Sequence, residues 1–208
     1  MSEPQILIAT KNSHKAGELA ALTAGLAGTL SLAAWEREKG QALAEPAENG
    51  RSFLENARIK ARSYAAATGL TTVADDSGLT VPALGGAPGI HSARFGGPGL
   101  TDRQRCLLLL WKMKNRRDRR AFFTTVLVLA RPDGAALYWR GRLDGFITAN
   151  PRGGHGFGYD PIFRPAGLSL TLSQLAPSQK NSLSHRALAA QAFQADLEAV
   201  RNFMGLRG

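Results

Sequence analysis

Residues 71–76, Thr-Thr-Val-Ala-Asp-Asp, constrain this chain more than any other stretch of it. A β-prone apolar run delivers two adjacent carboxylates, Asp75 and Asp76, and Ser77-Gly78 is expected to end the strand. Burying a strand end beside two like charges is costly, because each carboxylate resists ionising near the other. A divalent cation relieves that cost by neutralising both. The segment Gly85-Gly86-Ala87-Pro88-Gly89 can bring backbone close to a ligand, since glycine has no Cβ and tolerates positive φ. The block reads as a hard-metal and phosphate site, with a polar strand-to-turn junction as the alternative.

The 208 residues suffice for one domain, or one domain with two lobes, around a proper core. No 18-residue apolar run occurs and the N-terminus opens on Ser2-Glu3, so neither a signal peptide nor a membrane span is expected. Cys106 is alone and precedes Leu107–Leu110, which reads as a buried helical thiol with no internal disulfide. A cytoplasmic location is expected. Basic residues outnumber acidic ones by 26 to 16, and the net charge of +10 attracts polyanions. Much of that excess lies in the run Lys112–Arg120. It reads as a solvated helix end plus loop rather than a nucleic-acid patch, because stacking aromatics are not interleaved in it.

Gln5–Ala9 is a short apolar run suited to a buried strand, followed by a polar turn and a helix face of Leu19, Leu22 and Leu26. A strand, turn and helix start in this order make a natural anion site. Residues 40–50 form a loop. Ser52 and Glu55 make a capping box opening a helix over 53–68, and Gly69 ends it. Thr101 and Gln104 repeat that logic for a helix reaching about Lys114. Phe122–Ala130, the turn Arg131-Pro132-Asp133-Gly134 and Ala136–Arg140 predict an antiparallel hairpin. A glycine-dense loop spans Asn150–Asp160. One C-terminal helix is expected from Ser184, with Phe193, Leu197, Val200 and Met204 on one face. The order of elements predicts an α/β fold, partly antiparallel.

Four polar clusters sit at predicted element ends, where sites are built. They are Thr10, Asn12 and Lys15; Glu48 with Glu55–Lys60; Asp75-Asp76-Ser77; and Gly156–Pro161 with Lys180 and Ser184-His185-Arg186. Carboxylates for magnesium, cations for phosphate and an aromatic for a base are the parts of a nucleotide hydrolase. Singly, each has an ordinary explanation: solvated lysines, a capping glutamate, packed aromatics, a surface histidine. Neither a P-loop nor G-x-G-x-x-G is present.

Five motifs carry a resemblance: ATKNSHKAGEL at 9–19, SFLENARIKAR at 52–62, ADDSGLTVPALGGAPGIHSARF at 74–95, GFGYDPIF at 156–163, and K-x-x-x-SHR at 180–186. In this order and spacing the chain resembles the inosine triphosphate pyrophosphatase family over nearly its whole length. The resemblance implies one two-lobed domain over 1–208, with a long mixed sheet, helical lobes on either side of a central active-site cleft, and a homodimer. It implies Mg²⁺-dependent hydrolysis of non-standard purine nucleoside triphosphates (ITP, dITP, XTP) to monophosphate and pyrophosphate. Asp76 matches the family's catalytic acid-base and metal residue, and Glu48 its loop carboxylate for metal. Thr10, Asn12, Lys15 and Lys60 match triphosphate contacts, with Lys60 expected to act in catalysis. Ser77 matches a substrate contact. Phe157, Gly158, Tyr159 and Asp160, with Lys180, His185 and Arg186, match the base-recognition side. The role of Asp75 stays open. His91 stands where the family has a tyrosine, and Lys112–Arg120 is more basic than the family pattern.

The purine triphosphate is thus the expected partner, with neither membrane nor nucleic-acid binding expected. Other readings are a septum-inhibitor type of pyrophosphatase, against which SHR and FGYD speak, a nucleic-acid-binding protein motivated by the +10 charge, and a silent nucleotide sensor.

Overall fold

Period-two alternation, rather than any long apolar helix, organises the interior. The computed structural model describes residues 5–11 and 13–206, with backbone alone at 13 and 14. Six strands form one sheet: β1 (Gln5–Ile8), β2 (Gly28–Ser31), β3 (Thr71–Thr80), β4 (Arg120–Ala130), β5 (Ala136–Ile147) and β6 (Phe163–Pro165), in the order β2-β1-β3-β4-β5-β6. β1 pairs in parallel with both β2 and β3, Ile6 lying opposite Thr29 and Thr71. β5 pairs antiparallel with β6. The turn 131–135 joins β4 to its neighbour β5, and a connection that short joins only antiparallel strands. The fold is therefore α/β with a mixed sheet. Seven helices accompany it among the described residues: α1 (Ser13–Thr23), α2 (Leu32–Lys39), α3 (Phe53–Thr68), α4 (Asp102–Lys112), α5 (Pro177–Leu183), α6 (His185–Ala195) and α7 (Leu197–Met204). None is long and apolar enough to cross a membrane.

The chain divides into two compact units. The first comprises Met1–Asp76, Val126–Arg140 and Ala189–Gly208, and the second Ser77–Thr125 and Gly141–Leu188. In the first unit, successive strand residues feed two separate cores. Leu7, Ala74, Val126 and Val128 pack with Trp35 of α2 and with Ala57, Ala61 and Tyr64 of α3. Their sequence neighbours Ile6, Ile8, Val73, Leu127 and Leu129 pack with Leu19 and Leu22 of α1, Phe193 of α6 and Val200 of α7. The alternation of a strand buried on both faces dictates this division. The second unit has its own core of Leu79, Leu109, Met113, Phe123, Ile162 and Phe163.

Helix α3 begins and ends where the sequence places it. Ser52 Oγ accepts the Glu55 N–H at 3.2 Å, and Gly69 closes the helix in the left-handed conformation. Glu55, however, reaches Arg51 N rather than Ser52 N, so the box is half made. At α4 the Thr101–Gln104 box is complete. The expected single C-terminal helix is two. Asp196 breaks it with non-helical backbone and accepts the Trp139 indole N–H at 3.1 Å. That bond satisfies the indole of a tryptophan only 6 % exposed, which side-chain periodicity in the helix cannot reveal.

β3 also outruns its expected end at Ser77-Gly78, continuing to Thr80 because buried Leu79 donates its N–H to Ser92 Oγ. The glycine segment after it turns back on the strand: Gly86 N bonds to Val81 O, Val81 N to Ala87 O, and Thr80 bridges Pro88. Its backbone serves a turn, where the sequence suggested a close approach to ligand.

Candidate active site

Strand alternation decides what the two aspartates do. Consecutive residues of β3 face opposite sides of the sheet, so the Asp75 and Asp76 carboxylates leave the strand on different sides. Asp75 follows Val73 to the α1 side, where Lys15 Nζ meets its Oδ2 at 2.8 Å, both groups largely buried. Asp76 follows Ala74 to the α3 side. The two carboxylates have separate lysine partners, where the sequence suggested one cation neutralising both. Lys15 compensates Asp75, which gives that aspartate a physical role.

Around Asp76 the first unit assembles a carboxylate–amide–ammonium cluster. Asn56 and Lys60, four residues apart on α3, occupy one face of the helix. Asn56 Nδ2 donates to Asp76 Oδ2 at 3.2 Å, while its Oδ1 accepts the Gly50 N–H at 2.9 Å. Buried Asn56 thus ties the loop carrying Glu48 to the strand carrying Asp76. Lys60 Nζ lies 3.2 Å from Glu48 Oε1 and 3.8 Å from Asp76 Oδ1. Burial pushes the Asp76 carboxyl up to about 6; Lys60 opposes the rise, Glu48 adds to it, the Asn56 hydrogen bond opposes it and Asp75 adds a little. A carboxyl poised there takes a proton near neutral pH and releases it readily. Thr10 sits half-buried at the end of β1, and Asn12 lies outside the described residues.

Within the second unit the glycine loop and the α5–α6 junction make another cluster. Asp160 Oδ2 accepts the Phe157 N–H at 2.9 Å and Lys180 Nζ at 2.5 Å. Gly156, with φ +82°, leaves room for that pair, since a Cβ there would collide with the Asp160 carboxylate. The Phe157 ring is 40 % exposed, with Lys180 Nζ 4.5 Å and the Arg186 guanidinium 5.0 Å from its centroid. Arg186 also reaches Ser77 Oγ at 3.5 Å. His185 is buried, stacked on Phe123 at 4.7 Å, with Nδ1 2.6 Å from Thr125 Oγ1. Tyr159 turns inward: its ring joins the core and its hydroxyl donates to Ser92 O at 2.9 Å, and burial raises its pKa. Cations flanking a partly open aromatic suit a planar ring that carries acceptor oxygens.

Sequence reasoning assigned no role to Asn56, Asp102 or Cys106. Asp102 Oδ2 accepts the Gly158 N–H at 2.7 Å, and Cys106, one turn along α4, donates its thiol to Gly158 O at 3.2 Å. Both polar atoms of Gly158 are thereby held by one helix. Burial, then the nearby Asp102 and Asp160 carboxylates, push the Cys106 thiol up to about 12, so it acts as a donor and not as a nucleophile. Only the i, i+4 spacing of Asp102 and Cys106 hinted at a shared face. Asp102→Ala is expected to speed exchange of the Gly158 amide about tenfold, the effect of losing one charge-assisted bond. Exchange at the wild-type rate would show that the loop holds itself.

A buried, near-neutral carboxyl beside a lysine, and an aromatic reader with cationic donors, define a nucleotide-hydrolysing enzyme. The comparisons agree. The Ham1 family model matches residues 6–196, and the chain belongs to the Ham1 family. It is 44 % identical over 191 residues, 92 % of each chain, to a protein of Deinococcus radiodurans named dITP/XTP pyrophosphatase. A Thermus thermophilus protein of the same name is 44 % identical over 200 residues, covering 95 % of this chain and 92 % of that one. Among solved structures, a HAM1 protein from Coxiella burnetii matches with TM-score 0.87 and 36 % identity, over 94 % of this chain and 99 % of that one.

Proposed function

We propose that this protein hydrolyses the non-standard purine nucleoside triphosphates ITP, dITP and XTP to monophosphate and pyrophosphate, cleansing the nucleotide pool. The observation that carries this reading is the Asp76 carboxyl, raised to about 6 and held by Asn56 and Lys60. Its family relatives bear the name dITP/XTP pyrophosphatase. Asp76 accepts a proton from water as that water's oxygen bonds to the α-phosphorus. The bond from the α-phosphorus to the bridging oxygen breaks, and the electron pair leaves with pyrophosphate. Lys15 and Lys60 stabilise the charge gathering on the leaving group, together with Thr10 and Asn12.

Among the described residues no group of three or more His, Cys, Asp or Glu forms a metal cage. Magnesium does not require one, since it takes one or two carboxylates and completes its shell with water and substrate phosphate. Glu48 and Asp76, oxygen donors that both lie near Lys60, fit that demand. They would hold Mg²⁺, which supplies positive charge against the triphosphate oxygens when bound. Phe157, Lys180, His185 and Arg186, with Ser77, Gly158, Tyr159 and Asp160 supporting them, read the 6-oxo purine: their donors would be left unpaired against a 6-amino group. The enzyme works in the cytoplasm as a homodimer.

Product analysis in heavy-oxygen water tests the chemistry. The expected result is pyrophosphate plus monophosphate, with the label in the monophosphate. Orthophosphate plus diphosphate, or label in pyrophosphate, would refute attack at the α-phosphorus.

A further inference from the structure

The charge of this protein is not spread over it. The second unit carries 14 basic and 4 acidic residues, while the first carries 12 of each, so the entire +10 resides in the second. Eleven of those 14 cations are arginines, whose planar forks match phosphate oxygens better than lysine does. Substrate reading accounts for Lys180 and Arg186 only. Five arginines, Arg117, Arg119, Arg120, Arg152 and Arg164, line a hollow on this unit. Arg119 is committed to the carbonyls of Met113, Ile147 and Thr148, and Arg120 to Asp118. The guanidinium groups of Arg117 and Arg152 are exposed, with no hydrogen-bond or ion-pair partner among the described residues.

A second hollow adjoins in sequence at Arg116 and is lined by Phe95, Trp111 and Lys112 among others. Trp111 is 69 % exposed, with Lys112 Nζ 5.8 Å from the centroid of its ring. A large open aromatic beside phosphate-matching cations is the combination that binds single strands: bases stack on the ring and the backbone follows the charge. The sequence run alone did not show it, because Trp111 stands just before the run and its exposure is a property of the fold. A second copy of the chain is a poor occupant, since an isologous contact would set the same cations against each other.

We propose that the second unit binds single-stranded nucleic acid without sequence preference, with Trp111 as stacking platform and Arg116, Arg117 and Arg152 on the backbone. The test titrates the full chain into fluorescein-labelled oligothymidylate across a KCl series, following anisotropy and tryptophan emission. Trp35 and Trp139 are each only 6 % exposed, so quenching reports on Trp111. Binding should weaken with salt and quench the emission. Trp111→Ala should bind about tenfold more weakly, as loss of one stacked base requires. Arg117→Ser with Arg152→Ser should lower the log–log salt slope by about 0.7 for each phosphate that is no longer neutralised, and pyrophosphate release should not change in either variant. Absent binding at low salt, or unchanged affinity in Trp111→Ala, would overturn the proposal. So would quenching by phosphatidylserine vesicles but not by the oligonucleotide, or a Trp111→Ala variant whose only change is loss of a dimer.

Discussion

Asp76→Asn should lower turnover by about 10²- to 10⁴-fold, the usual contribution of a positioned general base, while the protein stays folded. The electrostatics say why the fold survives. A carboxyl at about 6 in the folded chain and at its ordinary 3.8 when unfolded binds more protons folded than unfolded between those values. Its ionisation therefore costs stability as the pH rises from about 4 to about 6, and the asparagine variant, lacking the charge, should melt at or above the wild-type temperature at neutral pH. In wild type, kcat/KM should fall below about pH 6 as Asp76 takes up its proton, with the limb moving to lower pH as magnesium is raised. Melting curves and a pH–rate profile check both halves. Turnover near wild type in Asp76→Asn, or activity flat through pH 5, would remove Asp76 from the chemistry.

Lys180→Met should produce the second large effect, and a different one. Lys180 and Asp160 are 14 % and 6 % exposed at their side chains, so removing the ammonium strands a buried carboxylate. Breaking such a pair from one side costs about 3–5 kcal/mol, whereas removing both charges costs far less. The double variant Asp160→Asn, Lys180→Met should therefore regain much of the lost stability in denaturant unfolding, a coupling that a double-mutant cycle measures. Neither protein should keep the base preference, because the donor beside Phe157 is gone. A single variant as stable and as selective as wild type would deny Lys180 both roles.

How much of this was legible before the structure depended on the range of each interaction. Helix α3 was readable to the residue, because Ser52, Gly69 and the intervening spacing are local signals. The turn Arg131–Gly134 was readable for the same reason, whereas the long mixed sheet was implied by the resemblance. Asp196 was not, since the helix breaks there to serve Trp139, 57 residues away. Asp75 and Asp76 were found as a pair, but their separate lysine partners were not, because the sequence shows adjacency and not facing. His185 was expected on the surface by default and lies buried against Phe123 and Thr125, partners 62 and 60 residues off in sequence. The role of Asn56 in joining the Glu48 loop to Asp76 required knowing that Gly50 N–H turns back toward α3. Resemblance supplied the candidate site residues, and the structure supplied their pairings.

One measurement tests the central claim most directly: kcat/KM for pyrophosphate release with Mg²⁺ across ITP, dITP, XTP, GTP, ATP, CTP and UTP. The expected result is a preference of about 10²-fold or more for ITP, dITP and XTP over ATP, as a site built on donors for a 6-oxo ring requires. A preference over GTP is also expected, although GTP shares the 6-oxo group and must be refused at its 2-amino group by other contacts. Equal rates across the panel would contradict the base-reading role given to Phe157, Lys180 and Arg186, and with it the function proposed for this protein.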